Sequence, residues 1–162
     1  MLGSTCLEYA ALDLGSAREL AEALVRFETL TYEPAATPEE LAEARTLRDA
    51  VSRCLKAVAG GAPLLRRDVE TLNAFAADET PLVKLALDGT LVRVATDAVR
   101  CALSAVARDA IELLARRGDN LSACVGCGAI FLDASRGKRR RWCAMQRCGN
   151  RAKVAGYRSR QR

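Results

Sequence analysis

Apolar residues recur every three or four positions in four stretches of the first 117 residues, which is the spacing of an α-helix. These stretches cover residues 16–30, 37–59, 66–77 and about 97–117. The second has the clearest start, because Thr37 can cap the helix, Pro38 suits its first turn and Glu40 can bond back to the cap. A similar capping box begins at Ser16.

Between residues 82 and 95 the period changes to two. Apolar Val83, Leu85 and Leu87 alternate with other residues, and Asp88-Gly89 then precedes a second apolar run. This pattern predicts a β-hairpin with a tight turn. Residues 1–118 are therefore expected to form a mainly α domain with a small β-hairpin (α+β), and a boundary is expected near residues 118–122.

The last quarter of the chain changes the picture, because it holds four cysteines spaced C-x2-C-x15-C-x4-C. They are Cys124, Cys127, Cys143 and Cys148. Two close pairs joined by a longer segment are typical of one tetrahedral Zn²⁺ per chain, and four thiolates leave no open position, so the ion would be structural. Unliganded thiols or a redox disulfide are the alternatives.

Residues 119–162 are expected to form a small treble-clef or ribbon-like zinc finger. A knuckle at Cys124–Gly128 is followed by a predicted strand at 130–132, and Trp142-Cys143 is predicted to be the returning strand. Cys148 is predicted to lie at or just before the start of a basic C-terminal helix.

Charge is distributed very unevenly around the net value of +5. All 20 acidic residues lie at or before Asp133, whereas residues 136–162 hold 11 of the 25 basic residues. A basic end on an acidic body points to an anionic partner, although a solvated or disordered end would have the same composition.

Several basic residues are spaced so that a helix would place them on one side. The candidate nucleic-acid contacts are Arg147, Arg151, Arg158 and Arg162 in one stripe, Lys153 and Arg160 beside it, Asn150 for a base edge, and Arg139, Arg140 and Arg141 in the preceding loop for phosphates. The alternative is structural: Asn150 would cap the turn after Cys148, and Arg151 would pair with Asp133.

Other function classes find little support in the residues. The chain contains no His, which excludes His ligands and His-based nucleophile pairs. It shows no phosphate-binding loop, so we expect no enzyme. We see no signal peptide or membrane-length apolar run, so we expect a cytoplasmic protein.

The finger region resembles the CGNR zinc finger, whose four naming residues are Cys148-Gly149-Asn150-Arg151. The resemblance also rests on Cys124–Gly128, Phe131–Arg136, Arg141–Met145 and Cys148–Lys153. Upstream, Thr37–Leu41 with its helix and the 82–95 hairpin are similar to the ABATE domain of bacterial proteins. That domain typically opens with a Leu-Asp-Phe-x-Asn-Thr-like segment, which here is replaced by Leu7–Leu12.

The resemblance implies a bacterial, stress-induced transcription regulator whose finger binds DNA. In our leading hypothesis the acidic, mostly helical N-terminal domain senses a signal, self-associates or contacts a partner such as the transcription machinery. A zinc-stabilised adaptor that binds RNA or an acidic protein partner is the alternative. A third hypothesis is a redox sensor in which loss of zinc unfolds the finger.

Overall fold

The structure is a computed structural model that describes residues 4–137 and 139–154. Five helices and two hairpins make up most of it. In chain order these are α1 (Thr5–Tyr9), α2 (Ala17–Arg26), α3 (Pro38–Ala59), α4 (Arg66–Ala76), β1 (Leu82–Leu85), β2 (Leu91–Val94), α5 (Ala98–Arg117), β3 (Leu121–Ala123) and β4 (Ile130–Leu132). The predicted fold class, a mainly α body with a small hairpin followed by a zinc-finger region, is confirmed.

The two long helices α3 and α5 form the centre of the body, and α1, α2 and α4 pack against them. The apolar stripe of α3 is buried at Leu47, Val51 and Leu55, and α5 buries Leu103 and Val106. Since only seven residues of the chain are aromatic, this core is mainly aliphatic.

Helix α3 begins as its sequence predicts. The Thr37 hydroxyl accepts from the Glu40 amide at 3.2 Å, and the Glu40 carboxylate accepts from the Thr37 amide at 2.7 Å. Arg53 of α3 also forms an ion pair with the buried Asp68 of α4, with Nη2 at 2.7 Å from Oδ1. Hydrogen bonding from Arg53 lowers the pKa of Asp68.

Helix α2 is shorter than predicted, because it ends at Arg26 rather than near residue 30. Glu28 has a φ of 56°, a left-handed conformation that a helix cannot continue through. Phe27 and Leu30 are nevertheless buried, so the apolar pattern extends beyond the helix that it helps to define.

Helix α1 was not predicted, because it is only five residues long. It packs on both central helices: the Asp109 carboxylate of α5 accepts from the Cys6 amide at 2.8 Å, and the Tyr9 hydroxyl donates to the Ala44 carbonyl of α3 at 2.8 Å. Burial raises the pKa of both the Cys6 thiol and the Tyr9 phenol.

The predicted β-hairpin is present as the antiparallel pair β1–β2, with Leu85 opposite Leu91. The side chains of β1 face solvent, since Leu85 is 80% exposed and Val83 is 64% exposed, whereas three of the four residues of β2 are half-buried. The Thr31 hydroxyl accepts from the Arg93 amide of β2 at 3.1 Å, which ties that strand to the body. The aliphatic side chains of β1 are nevertheless exposed to solvent.

The second hairpin, β3–β4, packs on α3 and so joins the finger region to the body. Leu121 is 5% exposed and belongs to the same core as the helices, with Ile130 and Leu132 packed beside it. None of the helices in the described part of the chain combines the length and apolar character that a membrane span requires.

Candidate metal centre and basic surface

The first cysteine pair lies in the loop of the β3–β4 hairpin. The Cys124 amide donates to the Ala129 carbonyl at 2.9 Å, and the Gly128 amide donates to the Cys124 carbonyl at 2.8 Å. Gly128 has a φ of 73°, a conformation that side chains disfavour. The strand predicted at 130–132 is confirmed as β4, and its partner is β3.

The second pair reaches the first through a chain segment that is not a strand. Trp142 belongs to no regular element and Cys143 lies in a bend, so the returning strand predicted there is wrong. The Val125 amide donates to the Arg141 carbonyl at 3.0 Å, and this bond brings the segment back to the knuckle. Cys148 lies in a π-helical turn, Met145–Gly149, which continues as helix through residue 154.

The four cysteine sulfurs form one cluster in which all atoms lie within 4.8 Å of one another. The Sγ atoms of Cys127 and Cys143 are 3.6 Å apart, and those of Cys143 and Cys148 are 3.8 Å apart. A tetrahedral zinc with Zn–S bonds of about 2.3 Å sets its sulfurs about 3.8 Å apart. The donor set therefore fits Zn²⁺ in type, number and spacing.

The thiols of this cluster differ in pKa, and therefore in how readily each gives up its proton to a metal. The backbone amide of Cys143, followed by those of Gly126 and Cys127, lowers the pKa of the Cys124 thiol to about 6. Hydrogen bonding to Cys127 and burial raise the pKa of Cys148 to about 12, and burial raises that of Cys143. A divalent cation would displace protons from such a cluster, so its binding must depend on pH.

Asp133 and Arg140 hold the loop that connects the two pairs. The buried Asp133 carboxylate accepts from the Ser135 hydroxyl at 2.6 Å, the Ser135 amide at 2.9 Å and the Arg140 amide at 2.9 Å. These bonds, those from Ser135 first, lower its pKa. The Arg140 guanidinium donates to the carbonyls of Trp142 and Cys143 and lies 5.0 Å from the Phe131 ring centroid. Sequence reasoning missed this bracing role.

The other basic candidates lie on the surface around the cluster. Arg139, Arg147, Arg151 and Lys153 are exposed. Arg141 is also exposed, with its guanidinium 5.6 Å from the centroid of the Trp142 ring. Arg158, Arg160 and Arg162 lie outside the described residues.

The alternative in which Asn150 and Arg151 hold the finger together, instead of contacting DNA, finds only weak support. The Asn150 amide donates to the Gln146 carbonyl at 3.4 Å, a long bond within the helix, and its side chain is exposed. Within residues 4–137 and 139–154 the structure has no ion pair between Arg151 and Asp133. The side chains of Asn150 and Arg151 are both exposed.

Comparison with protein families agrees with this arrangement. Residues 121–161 match the CGNR zinc finger. Residues 3–117 match the ABATE domain, described as "Putative stress-induced transcription regulator". No curated protein matches the chain.

Proposed function

Because the chain belongs to the ABATE family and carries a CGNR zinc finger, we propose that it is a transcription regulator that binds DNA through this finger. The observation that supports the proposal most strongly is the exposed basic surface built directly on a closed four-cysteine cluster. The proposal assigns no catalytic step to the chain, and it places the protein in the cytoplasm, where thiols stay reduced.

Zinc has a structural role in this proposal, held by Cys124, Cys127, Cys143 and Cys148. The ion links the two chain segments that carry the cysteine pairs. These segments otherwise share few apolar contacts, because the small apolar cluster beside the sulfurs buries little beyond Phe131. The Arg140 guanidinium donates to the Cys143 carbonyl. Correct placement of the second cysteine pair therefore also orders the loop that precedes that pair. The metal therefore determines the positions of the basic side chains.

The basic side chains have two roles in this proposal. Arg139, Arg141, Arg147 and Lys153 contact phosphates, together with Arg158, Arg160 and Arg162, which lie beyond the described residues. Asn150 and Arg151 read base edges, because neither is used in holding the cluster. Arg140 is exposed as well, but its guanidinium donates to the carbonyls of Trp142 and Cys143, so it positions the loop.

Salt dependence of binding tests the proposal. A labelled duplex titrated with zinc-loaded protein should bind with an affinity that falls steeply as salt rises, since each neutralised phosphate releases a counterion. Replacing Arg147 with Ala should reduce the slope by about 1. Arg18→Ala is the matched control, because Arg18 is exposed on α2 and forms an ion pair with Glu22 of the same helix.

Two outcomes would redirect the proposal. If the zinc-loaded protein prefers single-stranded RNA or an acidic protein to every duplex, the adaptor hypothesis replaces DNA binding. If Asn150→Ala keeps its zinc and still discriminates between sites as the unaltered protein does, base readout by Asn150 is wrong.

The exposed hairpin supports self-association as a second element of the proposal. A two-stranded sheet is marginally stable alone, and unpaired strand edges with exposed aliphatic side chains readily pair with another chain. We expect Leu85→Ser to shift sedimentation toward the monomer, whereas Leu65→Ser, at a 50% exposed position just before α4, should not. Identical sedimentation of Leu85→Ser and the unaltered protein would contradict self-association through β1.

A further inference from the structure

A cavity of about 240 Å³ lies between α3, α4 and α5, on the body and away from the cysteine cluster. Its walls are formed mainly by Val58, Val69, Leu72, Ile111 and Leu114, and Asn73 lies at its rim. The cavity opens to solvent on one side: Asn73 and Ala115 are exposed, and Val58, Val69 and Ile111 are only half-buried. A ligand seated there would bury apolar surface that now meets water.

The chemistry of the walls defines what could fill the cavity. Among the described residues that line it, none carries a charge, and the only polar side chains are the Asn73 amide and the Cys54 thiol. Water gains little there, because an ordered water needs two to four polar partners. A charged ligand would lose its hydration without gaining a counter-ion.

We propose that this cavity binds a small uncharged molecule with a largely apolar body, such as a single aromatic ring system or a short aliphatic chain. An apolar cavity of about 150 Å³ is enough to hold benzene, so the space here suits a slightly larger molecule. The Asn73 amide at the rim can bond to one polar group at the end of the ligand that faces solvent.

The cavity has a direct contact with the start of the finger. Val58 lines the cavity, and its Cγ1 atom would lie 3.1 Å from a Cβ atom added at Gly118. Gly118 begins the short 3₁₀ turn Gly118–Asn120 that leads into β3. An occupant that pushes on Val58 is therefore expected to change the surroundings of Gly118.

Titration with indole, followed by NMR on the zinc-loaded full-length protein, tests the proposal. We expect saturable shifts of the Val69, Leu72 and Ile111 methyl groups and of the Gly118 amide. Glycerol, which is uncharged but has no apolar body, should cause no saturable shift, because the walls offer few hydrogen-bond partners. If the methyl groups shift and Gly118 does not, the contact with the finger is overturned while binding stands.

Two variants separate the cavity from the rest of the surface. Ala115→Phe places a ring in the cavity and should weaken indole binding about tenfold, because the space is then filled. Ala42→Phe, on the exposed side of α3, is the matched control and should leave binding unchanged. Val69→Phe gives a second filled cavity if the first variant melts early.

The proposal is overturned if indole causes no saturable shift, if glycerol binds as well as indole, or if both filled variants bind like the control. These readouts do not involve DNA. A failure of ligand binding therefore leaves the proposed DNA-binding function untouched, and loss of the DNA-binding function leaves this site untouched.

Discussion

Leu121 offers a quantitative test of how the finger is joined to the body. Its side chain is 5% exposed and lies in the core formed by the helices, although it belongs to the hairpin that carries the first two cysteines. Leu121→Ala should therefore destabilise the helical body as well as the finger. A chain in which the two parts are independent would show no such effect on the helices.

The expected loss follows from burial. Leu→Ala changes in cores cost about 2–5 kcal/mol, and the lower half of that range applies where neighbours can relax into the gap. Ile130 and Leu132, which pack beside Leu121, are only half-buried and can move, so we expect about 3 kcal/mol. For a chain of this size each kcal/mol lowers Tm by about 2–4 °C, which gives a total shift of about 6–12 °C.

Two spectroscopic probes follow the two parts separately in urea under reducing conditions. Far-UV circular dichroism reports the helices, and the single tryptophan, Trp142, reports the finger. Leu121→Ala should move both transitions to lower urea, whereas Leu65→Ala, at a 50% exposed position just before α4, should stay within about 0.5 kcal/mol of the unaltered protein. If Leu121→Ala changes the helical signal no more than Leu65→Ala does, the shared core is refuted.

Three further predictions concern the metal, the pH dependence of unfolding and the stability of the helical body without the finger. Cys143→Ser should lose its zinc by elemental analysis and red-shift Trp142 fluorescence while keeping most helical signal; a variant that retains stoichiometric zinc contradicts this. Asp68→Asn should flatten the pH dependence of the free energy of unfolding below about pH 4. The pKa of Asp68 is lower in the folded chain than its unfolded value of about 3.9, so the ionised carboxylate stabilises the fold above that value, and this stability is lost as the pH falls through the folded pKa. Parallel pH profiles of the variant and the unaltered protein would rule out this role of Asp68. A chain ending at Asp119 should still melt cooperatively, though earlier than the full chain, and an aggregated product would show that the body needs the finger.

The parts of the fold that sequence reasoning predicted are those with a local cause. The capping box at Thr37 needs only four neighbouring residues, and the predicted start of α3 is confirmed. The β1–β2 hairpin likewise follows from alternation and a turn signal. The cysteine spacing predicted one cluster because a shared metal imposes a short, regular separation within each pair.

The parts that were missed depend on contacts between distant segments. Helix α1 is too short to show a period, and it is held by Asp109, more than 100 positions away. The β3 strand pairs with β4 and packs on α3, yet its three residues carry no pattern of their own. The role of Arg140 could have been suspected only from its place between Asp133 and Cys143, since basic residues on both sides of it suggested a phosphate contact instead.

The most direct test of the central claim is duplex DNA binding by the intact protein, measured by fluorescence anisotropy across a range of salt concentrations, with zinc and after its removal by a chelator. We expect tight binding with a steep negative slope of log affinity against log salt when zinc is bound, and loss of specific binding when zinc is removed. Binding that is unaffected by chelation, or the absence of any salt-dependent affinity for duplex in the zinc-loaded protein, would contradict the proposal.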